Sequence, residues 1–344
     1  PAVQKPQQDE GDLPGVGEGG NSGLSNVRRF RFAFAAYGPF VASFVLFFAK
    51  DMYALKLGAD TARVAAIATT WSALFPLFYP LAGQLMDREP PLLVVQGWGR
   101  RAPWYFVHII PLGVSVALVY LPSLFWTPPA GSAALEAWLG VFLFTGGWCL
   151  AVTLDCFESA RAEIYPFVEE RALVEAMTKV VGALAASTGI LPQLLLWMVF
   201  TMTSRTLVSL GLLGAVLLSL EAVPVFKDAR QPRSAVKPTL RQCCEVLLKP
   251  PMAHATALRF WFATVDTSAV NFGVYYLTFV DGLTSMERTQ WMFIGGVFVA
   301  FVELLILTPI WAYAWSDNGT SWLASFAKKY KPPMRMTCFI FQIL

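Results

Sequence analysis

Runs of about 20 consecutive, mostly apolar residues recur along this chain, and no other feature limits its fold as strongly. Rising about 1.5 Å per residue, a helix of that length crosses a hydrocarbon layer of roughly 30 Å with its backbone hydrogen bonds satisfied inside the segment. The alternating segments of about ten residues that a membrane β-barrel requires are absent. The expectation is an all-α, polytopic transmembrane helical bundle. Composition agrees: 56% of the residues are hydrophobic and 14% charged, whereas soluble domains carry about 25% charged residues. Mean hydropathy is +0.53.

Residues 1–27 are rich in Gly, Pro, Gln and acids and hold too little apolar surface to offset the entropy of ordering, which predicts a disordered tail. The first span is expected from Phe30 to Leu55, with Lys50, Asp51, Lys56 and Asp60 around the turn into the second, Ala62 to Met86. Further spans are expected over Pro103–Trp126, Glu136–Ala160, Ala172–Thr201 and Leu207–Val225, and, after a polar segment, over Leu258–Val280 and Gln290–Trp315. The sequence thus predicts about eight full helices and the start of a ninth after Met334. Pro76 and Pro80 are expected to kink the second span.

Lys and Arg placement in short loops sets orientation. Arg28, Arg29 and Arg31 precede the first span; Arg88, Arg100 and Arg101 follow the second; Arg161 and Arg171 flank the turn after the fourth. Lys227, Arg230, Arg233, Lys237, Arg241 and Lys249 follow the sixth, and the loop after the third has none. All these basic loops fall on one side, so the chain reads as a multi-pass membrane protein with a cytoplasmic N-terminus. The sequon at Asn318 falls on that side too and should carry no glycan. The basic segment 226–255 reads as a cytoplasmic linker between an N-terminal six-helix bundle, 28–225, and an incomplete C-terminal bundle, 256–344. A loose internal repeat supports the division: Asp87, Arg100, Arg101 and Pro103 after the second span match Asp317, Lys328, Lys329, Lys331 and Pro333 after the eighth. On that reckoning the chain stops inside its ninth helix. The cysteines, Cys149, Cys156, Cys243, Cys244 and Cys338, form neither a disulfide framework nor a zinc pattern.

The run Trp98-Gly99-Arg100-Arg101-Ala102-Pro103-Trp104 resembles the loop signature of the glycoside-pentoside-hexuronide cation symporters of the major facilitator superfamily. Ala162-Glu163-Ile164-Tyr165 with Glu170-Arg171, and the aromatic stretch Tyr275 to Val280, are similar to further stretches of that family. The resemblance extends from about Arg31 to Leu344. It implies the major facilitator fold and a secondary transporter that moves sugars or glycosides by alternating access between two bundles.

Asp87, Arg100 and Arg101 admit two readings: a cytoplasmic gate in which the acid pairs with a neighbouring arginine in one conformation only, or plain anchoring of the arginines to membrane lipid phosphates. An ionisable group inside a span requires a partner or a function, and four such candidates stand out: Asp155, Lys179, Asp266 and Glu303. Asp155 and Lys179 lie roughly 10 to 12 Å from the cytoplasmic ends of successive antiparallel helices and so can face each other at one depth. The resemblance places Asp155 near the family's sugar-binding acid and Lys179 at a basic position. A carboxylate and an ammonium together suit a polyhydroxylated ligand, and a helix-orienting ion pair is the other reading. Asp266, with Thr267, Ser268 and Asn271, forms a polar stripe suited to lining a cavity or to helix packing. Asp155 and Glu303 are the candidate proton-coupling groups, because burial raises a carboxyl pKa. Glu158 and Arg161 read as a local helix-end pair, and His108 and His254 as interfacial.

The chain departs from its sodium-coupled relatives in one respect. Helix 1 from Phe32 to Ala49 and the stretch Trp71 to Pro80 carry no acids, so a sodium site of that kind is not expected, and proton coupling or uniport stays open. Neither a cofactor nor a metal is expected, nor nucleic acid as a partner. No phosphate-binding loop, metal-ligand cluster or nucleophile-His arrangement points to an enzyme. A lysolipid or other amphiphile carrier on the same scaffold is the alternative reading, followed by a non-transporting or inactive truncated membrane protein.

Overall fold

The computed structural model describes residues 24–86, 98–99, 101–122, 132–165, 167–227, 245, 249–250, 257, 280–283, 287 and 291. Every regular element among them is helical: α1 (Asn26–Ala33), α2 (Tyr37–Leu55), α3 (Thr61–Met86), α4 (Arg101–Leu118), α5 (Ala133–Ile164), α6 (Val168–Met198), α7 (Met202–Leu217) and α8 (Val223–Phe226). A 3₁₀ segment, Phe34–Ala36, joins α1 to α2, and another, Leu218–Ala222, joins α7 to α8.

Five stretches are long and apolar enough to cross a membrane: Asn26–Leu55, Thr61–Met86, Ala133–Ile164, Leu173–Met198 and Met202–Phe226. With the 18-residue α4 they correspond to the first six expected spans. The linker and C-terminal bundle predicted from the sequence lie almost wholly outside the described residues, as does most of the predicted tail.

Several helix ends reach further than hydropathy indicates, each for a local reason. Ser25 caps α1 by accepting the Arg28 N–H at 3.3 Å, so the basic residues expected ahead of the first span lie within its first helix. A reciprocal box between Thr201 and Ser204 starts α7 at Met202. Past Ala160, α5 continues to Ile164 because Arg161 and Glu163 find partners on neighbouring helices. Pro76 and Pro80 both lie inside helix α3.

Helix α2 is central and packs on α5, α6, α7 and α4; α5 is flanked by α3 and α4. Its buried face, Val41, Ala42, Val45, Leu46, Ala49 and Met52, returns at i, i+3 and i+4 and is closed to solvent. Small residues let helices approach where polar glue and shape drive packing in lipid. A Cβ on Gly147 of α5 would lie 2.5 Å from Nε1 of Trp71, so the Trp71 indole of α3 rests on bare backbone there.

Helix directions put two polar layers at opposite ends of the bundle. One holds the starts of α1, α4 and α6 and the ends of α3, α5 and α8; it is called the charged end below. At the other, Tyr53 donates to Val119 O at 2.6 Å, Tyr120 to Gln193 Oε1 at 2.7 Å, and the Asp60 N–H to Glu136 Oε1 at 2.8 Å. Lys50 and Asp51 are buried inside α2 near that end, with the Lys50 ammonium 4.1 Å from the Phe47 ring centre.

Candidate functional site

The charged end is tied by ion pairs between helices. Arg101, the first residue of α4, reaches Glu163 near the end of α5: Nη2 lies 3.1 Å and Nε 3.2 Å from Oε1, with both side chains almost fully buried. Arg29 of α1 pairs with Glu170 of α6 at 2.6 Å, also buried. Arg31 donates to Glu221 O at 2.6 Å and to its carboxylate at 3.1 Å, in an exposed position. Sheltered pairs of this kind interact far more strongly than exposed ones and require good geometry to offset desolvation.

Between these pairs lies Tyr165, fully buried at the α5–α6 turn, with its ring edge-on to Phe32 at 5.3 Å. Burial pushes its phenol up to about 12, against the opposing pull of Arg28 and Arg29.

A second cluster forms the floor of a polar strip along α5 and α6. Arg161 bonds both Glu158, one turn back on α5, and Glu175 of α6, so it clasps the two helices. The local Glu158 and Arg161 pair expected from the sequence is therefore present, with a third member. Beyond this clasp the two helices have no extended packing with each other among the described residues; each leans on α2 instead.

Asp155 stands one turn deeper than Glu158 on α5, and Lys179 one turn deeper than Glu175 on α6, so both share faces with the clasp. Asp155 is half-buried, and a Cβ on Gly83 of α3 would lie 3.2 Å from its Oδ2. Lys179 is exposed. Asp155 lies nine residues before the end of α5 at Ile164 and Lys179 eleven after the start of α6 at Val168, about 14 and 17 Å from the charged end and so somewhat deeper than the sequence count predicts. Two turns further in on the same α5 face is Trp148, half-buried, with Phe78 edge-on at 5.9 Å.

Asp155 and Trp148 share one face of α5, and Lys179 lies exposed on α6; a carboxylate and an ammonium can bond hydroxyl groups, and an aromatic face can cover the apolar side of a small ring. Among the described residues no three of His, Cys, Asp and Glu gather as metal ligands do. His108 lies in α4, half-buried, with Nδ1 2.9 Å from Trp104 O and its ring stacked on Trp104.

The remaining residues singled out by sequence, Asp87, Arg100, Asp266, Asn271, Glu303 and His254, lie outside the described residues. Of the three gate residues only Arg101 is therefore placed, and it is held by Glu163. Glu163 and Glu170 stand in the sequence stretches that carry the family resemblance, yet their partners are set by tertiary packing. Glu175 carries no sequence signal beyond helical spacing from Lys179.

No protein-family model matches this chain, and no curated protein matches it.

Proposed function

We propose that this chain belongs to a secondary transporter of the major facilitator type that moves sugars or glycosides by alternating access. The observation that carries the reading is the buried Arg101–Glu163 pair, because it joins the Trp98–Trp104 stretch to the Ala162–Tyr165 stretch, the two segments on which the family resemblance rests. An ion pair sealed at one end of a helical bundle suits a gate over a binding site. Asp155 and Lys179 hold the substrate in this reading, and Asp155 is the group that accepts a coupling proton. The charged end faces the cytoplasm, as the excess of Arg and Lys there favours.

The test is uptake of labelled glycosides into proteoliposomes holding the full-length protein, with and without an inward proton gradient. Uptake that saturates with glycoside supports the reading, and stimulation by the gradient supports proton coupling. Movement of lysolipid with no glycoside uptake transfers the scaffold to amphiphile carriage and ends the sugar assignment.

A further inference from the structure

The first and last spans of the described bundle both break, at the same level and against each other. The 3₁₀ segment Phe34–Ala36 interrupts the first, and Leu218–Ala222 interrupts the sixth, and the two segments are in contact. Each break has a covalent cause. Pro39 has no N–H to give the Ala35 carbonyl one helical turn back, and Pro224 has none to give Leu220. Neither span can therefore complete its hydrogen-bond ladder at this level, which makes it the place of least resistance to bending.

The Val223 N–H supplies Leu220 O within its own segment, while side chains from other segments serve the first break. Tyr105 of α4 donates its hydroxyl to Ala35 O at 2.6 Å, and the Gly38 N–H donates to Ser219 Oγ at 2.6 Å. Ala35, Tyr105 and Ser219 are all fully buried. Only glycine permits this approach, since a Cβ on Gly38 would lie 2.3 Å from Ser219 Oγ and 2.5 Å from Val216 O.

Outside the knot, the two helix tips are fastened to one another. Arg31 holds Glu221 through two hydrogen bonds, and Phe32 meets Phe226 edge-on at 5.6 Å. Inside it, Tyr37 anchors α2 to α6 by donating to Thr188 Oγ1 at 2.8 Å. We infer that the two proline-founded breaks form a single hinge, pinned by Gly38, Ser219 and Tyr105, on which α1 and α8 swing together relative to the bundle. Because α8 leads into the basic segment that begins at Lys227, and α1 carries Arg29 to its partner Glu170, the swing couples the linker to the ion pairs of the charged end. The hinge does not depend on what the chain carries.

Paired spin labels test this on the full-length protein in lipid nanodiscs. One pair, at Val27 and Leu191, spans the hinge; a reference pair, at Val141 and Leu210, lies wholly in the bundle, and all four side chains are exposed. Ser219→Ala and, separately, Tyr105→Phe are expected to broaden the Val27–Leu191 distance distribution or give it a second population, with the reference pair unchanged. Pro39→Ala, which restores a ladder donor, is expected to narrow it. The hinge is refuted if Tyr105→Phe, the variant that removes only one oxygen, leaves the Val27–Leu191 distribution as in the parent protein. It is equally refuted if both pairs change together, which is general loosening.

Discussion

Arg101 and Glu163 form a buried ion pair in which two nitrogens of one guanidinium, Nε and Nη2, converge on a single carboxylate oxygen, at 3.2 and 3.1 Å. Both side chains are at least nine-tenths buried, so neither charge has water to fall back on. Removing one partner leaves the other charge in the packed end of α4 and α5. Glu163→Ala is therefore expected to destabilise the protein by about 3 to 5 kcal/mol, and Arg101→Ala by a similar amount. The double variant should be less damaged than the sum of the two, because no charge is stranded. A double-mutant cycle on thermal unfolding of the detergent-purified protein checks this; additive losses would show that the pair is not coupled.

Tyr165 makes the charged end sensitive to alkali. Its phenol is pushed up to about 12 from an ordinary value near 10, so the folded protein holds that proton more tightly than the unfolded chain does. The stabilisation is complete below about pH 10 and is lost as pH rises through about 12. Relative to Tyr165→Phe, the parent protein should lose stability across that window and only there. At neutral pH the substitution should be harmless or slightly stabilising, since the buried hydroxyl meets no partner among the described residues. Unfolding midpoints of the two proteins at pH 8 and above pH 10 check both statements.

The six spans of the described bundle are legible in the sequence because each apolar run is long enough to cross a bilayer on its own, whatever packs beside it. Their charged ends are not. Arg29 reads only as an orientation signal until α6 supplies Glu170, and the partner of Glu163 is known only when α4 delivers Arg101. Periodicity reports which face a residue occupies and stays silent about which helix it meets. The depth of Asp155 and Lys179 could be counted roughly from the helix ends, whereas the Arg161 clasp beneath them required Glu175, a residue with no motif around it. The prolines divide in the same way: Pro76 and Pro80 stand out in the sequence and lie inside α3, whereas the 3₁₀ segments before Pro39 and Pro224 become legible only once Tyr105 and Ser219 are placed beside them.

The contact between Trp71 and Gly147 gives a packing test. A methyl group added at Gly147 would sit 2.5 Å from the indole nitrogen, closer than any real Cβ contact, and Trp71 is nearly buried with little room to turn. Gly147→Ala is expected to cost about 1 to 3 kcal/mol through overpacking. Trp71→Leu introduced beside it should recover part of that loss by vacating the space. The unfolding midpoints of the single and double variants decide the matter, and a double variant worse than both singles would rule out the contact as the cause.

Asp155 and Lys179 carry the binding assignment, and their positions make it separable from folding. Lys179 is exposed on α6, so Lys179→Ala should leave stability within about 0.5 kcal/mol of the parent. Asp155→Asn keeps the shape that fits beside Gly83 while removing the charge and turning one acceptor oxygen into an N–H donor. Hydrogen bonds to charged groups contribute about 1.5 to 3 kcal/mol, so each substitution should weaken glycoside binding by about tenfold to a hundredfold. Arg161→Gln, nearly two turns nearer the charged end, should loosen the clasp and shift the unfolding midpoint instead, with a smaller effect on affinity. Equilibrium binding of a labelled glycoside to the purified variants, read beside their unfolding midpoints, distinguishes the two roles. Parental affinity in either Asp155→Asn or Lys179→Ala would remove that residue from the proposed site.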